Sequence, residues 1–233
     1  MSIITIAATD GSGSFDAFVA RPSGNGPHGA VVLIQEIFGV NASIRETAQQ
    51  FADMGFIVIA PDLFWRLRPG VDLTDKSEAE WKEALALMNA FDQDKGIEDL
   101  KATVAVARGV PGGNGRVGTL GYCLGGRLAM MMALRSDAEV NVSYYGVGLD
   151  SVLDGIEAVR APLLLHIADQ DEFFPSAGRA KVVAALQGHK HARAYVYPDA
   201  DHAFARIGGT HWQARAATIA NGRSAEALVA ALG

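Results

Sequence analysis

Apolar residues in this chain gather into short unbroken runs, among them Ala30-Val-Val-Leu-Ile34, Phe56-Ile-Val-Ile-Ala60 and Pro162-Leu-Leu-Leu-His-Ile167. Runs of that length, too continuous for a half-exposed strand, predict strands covered on both faces. Residues 116–120, 139–145 and 192–197 read as further strands. The polar stretches between have helix-forming composition, which predicts helices over 43–54, 81–91, 97–108, 126–134, 177–186 and 212–232, with Gly96 breaking the second from the third. Two β-rich runs around Asp10-Gly11 predict an opening hairpin, and Pro61 is expected to close the strand it follows. Strand alternating with helix argues for an α/β fold, a mostly parallel sheet with helices on both faces. Residues 65–80 are polar and irregular, extra chain of the kind that lies over a site.

Composition narrows the picture. The chain has 233 residues, 49% of them hydrophobic, enough to bury a sizeable core, and residues 1–233 are expected to form one domain. A net charge of -6 with no dense run of Lys or Arg argues against nucleic acid or an anionic membrane as partner and favours a small molecule. Met1 to Asp10 lacks the pattern of a secretory signal, and no apolar run is long enough to span a bilayer. A single cysteine excludes an intramolecular disulfide framework. These features together predict a soluble protein of the reducing cytoplasm.

Candidate chemistry sits at the strand ends. Gly121-Tyr122-Cys123-Leu124-Gly125-Gly126 joins a predicted strand to a predicted helix, the layout of a nucleophile elbow with Cys in place of Ser. A helix N-terminus behind Cys123 would favour its thiolate. A lone cysteine can equally be a buried small hydrophobe at a tight joint. Asp169 and Asp171 both follow the strand ending at Ile167, where ligand sites of such sheets gather, and spacing does not choose between them. His202 follows the last predicted strand, so the chain order is nucleophile, acid, histidine. Of the other histidines, His166 lies inside an apolar strand and reads as a satisfied core residue, while His28, His189 and His191 read as solvated. Glu36 ends a strand and reads either as a loop charge or as a carboxylate that controls a thiol proton. Spacing of the Gly-x-Gly-x-x-Gly kind is absent, which removes a dinucleotide-binding reading.

Gln35-Glu36-Ile37-Phe38-Gly39, the Cys123 elbow, Asp169-Gln170-Asp171 and Asp201-His202-Ala203-Phe204 together resemble the dienelactone hydrolase family over nearly the whole chain. The resemblance implies an α/β-hydrolase fold, a monomer with neither cofactor nor metal, and hydrolysis of a lactone or carboxylic ester through a thioester. It implies a triad of Cys123, His202 and Asp171, with Glu36 deprotonating the thiol and backbone N–H groups of Ile37 and Leu124 forming the oxyanion hole. It further implies that Arg206 binds a substrate carboxylate and that Tyr144 lines the pocket. The family's second carboxylate-binding arginine would fall near Trp81, where none stands; Arg66 or Arg68 could take its place. The alternative is a non-catalytic or redox-sensing member using Cys123 as a reactive thiol.

Overall fold

A computed structural model describes residues 2–233. The strands are β1 (Ser2–Ala7), β2 (Ser14–Ala20), β3 (His28–Ile34), β4 (Ile57–Pro61), β5 (Gly113–Tyr122), β6 (Val140–Tyr144), β7 (Leu163–Ala168) and β8 (Ala192–Tyr197). The helices are α1 (Ala42–Asp53), α2 (Glu78–Ala90), α3 (Gln93–Arg108), α4 (Leu124–Arg135), α5 (Ser176–Ala185) and α6 (Ala214–Leu232). One sheet runs β1-β2-β4-β3-β5-β6-β7-β8, with helices on both faces. The opening hairpin is antiparallel and joins β4 antiparallel; from β4 to β8 the pairing is parallel.

The unbroken apolar runs are central strands, as their composition predicts. Val31, Val32, Leu33 and Ile34 of β3 are fully buried, and β7 is buried along its length. From β3 the chain pairs β4 on one side and β5 on the other. Strand order therefore reverses at β3, which opens a crevice at the carboxyl ends where binding groups collect. No described helix is long and apolar enough to cross a membrane.

Pro61 closes β4 as expected, pairing with Ala17 as the strand's last residue, and Asp62 N–H donates to Asp16 O at 2.9 Å just beyond. Two local expectations are corrected. Gly96 lies in the first turn of α3 and does not separate two helices. The break is at Phe91-Asp92, where the Asp92 carboxylate accepts from the N–H groups of Asp94 and Lys95, both at 3.1 Å. Gly96 is small because the Phe91 ring lies against it: a Cβ there would meet Phe91 Cζ at 2.3 Å. Helix α2 begins three residues before the predicted 81, because Ser77 caps it and Glu80 bonds back to Ser77 Oγ at 2.9 Å and Thr74 N–H at 2.9 Å. That cap pins residues 74–77 over the carboxyl ends of the strands.

Candidate active site

Cys123 is the residue between β5 and α4, with φ 56 and ψ -115. A left-handed φ at a non-glycine residue costs energy and persists only where the surroundings impose it. Here the imposition comes from close packing: a Cβ at Gly125 would stand 2.4 Å from Ile34 O, so only glycine lets α4 approach β3 this closely. Cys123 N–H donates to Tyr144 O at 3.0 Å, which fastens the turn to β6. The side chain is buried but lines a cavity of about 130 Å³. Leu124 supplies the first amide of α4, a position with no acceptor inside its own helix, and Ile37 lines the same cavity.

The acid and the histidine meet beside it. Asp171 Oδ2 lies 2.9 Å from His202 Nδ1, and Asp171 Oδ1 accepts from Phe173 N–H at 2.9 Å. Both side chains are buried, at 1% and 5% exposure. Asp169 bonds through its carboxylate to Gln170 of its own turn, so geometry selects Asp171 where spacing does not. Arg179 from α5 holds that turn, donating to Asp171 O at 3.1 Å and Asp169 O at 2.5 Å. The imidazole packs edge-on against Phe173 and Tyr145, with ring centroids at 4.9 and 5.1 Å.

Burial acts most strongly on His202 and pushes its pKa down. The negative Cys123 sulfur and the hydrogen bond to Asp171 outweigh it, so the pKa rises to about 10. A raised histidine pKa stabilises the fold fully below about 6.5, and that contribution fades as pH climbs through the folded-state value. Cys123→Ala removes the anion and leaves burial opposed by Asp171 alone. The His202 ring is then expected to titrate lower, toward or below the ordinary histidine range, in a proton NMR titration. A ring that titrates at the same pH in parent and variant would show that the sulfur does not charge it.

Glu36, buried to 2% exposure, does not face the thiol alone. Its Oε2 accepts from Arg206 Nε at 2.6 Å and its Oε1 from Arg206 Nη2 at 3.0 Å. The remaining edge of the same guanidinium donates through Nη1 to Asp75 Oδ2 at 2.7 Å. Glu36 raises the Arg206 pKa against the opposing pull of burial. Trp81 Nε1–H donates to Asp75 O at 3.0 Å, while the Trp81 ring lines the cavity with Phe38, Leu85, Met88 and Phe173.

The Dienelactone hydrolase family model matches residues 15–232. The chain belongs to the dienelactone hydrolase family. An Azospirillum brasilense relative is 49% identical over 231 residues, covering 97% of this chain and 96% of its own. The carboxymethylenebutenolidase of Pseudomonas putida is 38% identical over 225 residues, covering 97% of this chain and 94% of its own. A crystal structure from Klebsiella pneumoniae superimposes with a TM-score of 0.82 at 26% identity, covering 98% of this chain and 99% of that one.

Within this dienelactone hydrolase fold the expected site residues separate. Cys123, His202, Ile37 and Arg206 share the cavity, Asp171 stands behind His202, and Glu36 stands behind Arg206. Tyr144 does not line the cavity. Its hydroxyl bonds to Asn221 and Ser224 of α6, at 2.9 and 2.7 Å. The next residue, Tyr145, sends its ring against His202 instead, because the chain leaves β6 there with a left-handed φ of 36 that re-aims the side chain. His166 is a core residue, as its apolar strand implies: its nitrogens meet Tyr197 and Ser224 hydroxyls, and burial lowers its pKa to about 3. Arg66 is taken by Asp99 and Asp10, and Arg68 by Glu83, so neither takes the place of the missing arginine. Asp75 escaped sequence reasoning altogether, because only folding brings it to Arg206. The described residues hold no cluster suited to a metal.

Proposed function

We propose that this carboxylic ester hydrolase cleaves its ester or lactone through a thioester on Cys123, with His202 moving protons and Asp171 orienting the imidazole. The observation that carries the reading is the 2.9 Å contact between His202 Nδ1 and Asp171 Oδ2, on a ring that shares one cavity with Cys123.

The Cys123 proton is held by His202 and not by Glu36, which already accepts two N–H bonds from Arg206. The thiolate attacks the carbonyl carbon and the π electrons move to oxygen, giving a tetrahedral oxyanion that the Ile37 and Leu124 amides receive. Collapse expels the alkoxide, which takes the His202 proton; in a lactone it stays tethered to the acyl group. Neutral His202 then removes a proton from water as it attacks the thioester, the acid departs, and the thiolate is restored. Asp171 holds the Nδ1 proton throughout, so that Nε2 is left to take up and release the proton that moves. A free thiol nucleophile suits a reducing compartment, which favours action in the cytoplasm; the cavity of about 130 Å³ favours a small molecule, and the family resemblance favours a monomer.

The test is intact mass spectrometry during turnover of a phenyl ester. One acyl group per chain is expected, lost on adding hydroxylamine and absent from Cys123→Ala. Continued hydrolysis with no adduct on rapid quenching, or an adduct that persists in Cys123→Ala, would overturn the assignment.

A further inference from the structure

The charges around Arg206 do not balance. Its one cation faces two buried carboxylates, Glu36 at 2% exposure and Asp75 at 7%, both standing behind it while Arg206 itself lines the cavity. Nε, Nη1 and Nη2 each already donate to a carboxylate oxygen, so the trio carries a net charge of -1. The wall opposite is apolar and aromatic. Trp81 meets Phe38 edge-on at 5.0 Å and stacks on Phe173 at 6.1 Å, and the guanidinium carbon lies 5.1 Å from the Phe38 centroid. Trp81 does two things: its ring supplies that wall, and its N–H fixes the backbone of Asp75.

We propose that Asp75 sets the specificity of this enzyme, by capping Arg206 so that the cavity selects compact uncharged esters or lactones with an apolar or aromatic group and disfavours substrates bearing a carboxylate. The proposal rests on the reading of Cys123 as the attacking group. An incoming carboxylate would displace Asp75 or sit beside a net negative cluster whose charge the Cys123–His202 ion pair, itself neutral overall, does not offset, in a site too dry to screen it. A neutral aromatic group meets no such opposition and replaces water over Trp81 and Phe173. Asp75 thus acts as a positioning residue, through Arg206, and touches no reacting atom.

Two readouts test it. The first compares kcat/KM for phenyl acetate and 4-carboxyphenyl acetate, which differ by one carboxylate. The parent is expected to prefer the neutral ester by roughly a hundredfold. Asp75→Asn keeps an oxygen for Arg206 Nη1 but removes the charge, and is expected to reduce that preference about tenfold, mainly through a lower KM for the anionic ester; Asp75→Glu should retain the preference. The second readout needs no turnover: Cys123 is the chain's one cysteine, so its alkylation by neutral iodoacetamide and anionic iodoacetate can be followed directly. The ratio of the two rates should exceed that of a small free thiol about tenfold, and fall in Asp75→Asn. A parent that takes the anionic ester as well as the neutral one, or ratios that Asp75→Asn leaves unmoved, would overturn the proposal. Hydrolysis without a Cys123 adduct would instead sink the thioester reading, and the charge preference would still be read from the two esters.

Discussion

Replacing Cys123 with alanine is expected to lower kcat/KM for phenyl acetate by about 10⁴-fold or more. The loss should fall on kcat, because the apolar walls and the two amides stay in place while the bond-forming atom is gone. The chain has no second cysteine, so no neighbouring thiol can substitute. Serine at this position should recover little: its hydroxyl is far harder to ionise than a thiol, and His202 would lose the anion that keeps its ring charged. The variant should remain folded, since alanine fits the left-handed turn no worse than cysteine does. A Cys123→Ala protein that turns over phenyl acetate within tenfold of the parent would remove the sulfur from the reaction.

Legibility in the sequence followed the range of the forces involved. The central strands were readable because burial on both faces leaves a continuous apolar run, and the elbow because a strained turn between strand and helix needs its glycines beside it. The order of Cys123, an acid and His202 was likewise visible. The choice of Asp171 over Asp169 was not: both carboxylates leave the same strand end, and one reaches the imidazole only because Arg179 shapes the turn. Tyr144 was misplaced by one residue: its hydroxyl goes to α6, and it is the left-handed turn at Tyr145, invisible in the sequence, that brings the ring of Tyr145 to His202. Gly96 misled because a glycine in a helical stretch signals a break, whereas here it yields space to Phe91. Asp75 gave no signal. It lies in a polar, irregular stretch, 131 residues from the arginine it caps.

These differences bear on function through one group. Arg206 alone reads as an open cation waiting for a substrate anion; folded, it is the centre of a buried ion cluster that ties the residues before α2 to the end of β3. Selectivity and stability therefore share the same atoms, and a change that frees the guanidinium also loosens the covering segment.

The largest loss of stability is accordingly expected from Arg206→Met. Methionine matches the stem of arginine but leaves Glu36 and Asp75 facing one another without a cation, in a place that water barely reaches. Breaking a buried pair by removing one partner costs about 3–5 kcal/mol, and here two carboxylates lose their partner together. Urea unfolding at neutral pH should show the midpoint falling with the slope unchanged. Neutralising the two acids in the same protein, as Glu36→Gln and Asp75→Asn, should return part of the loss, because an amide needs no counter-charge and can bond to its neighbours. Non-additivity of that kind is the mark of groups acting as one network. If the triple variant is no more stable than Arg206→Met alone, the cost lies in lost packing of the arginine stem and not in stranded charge.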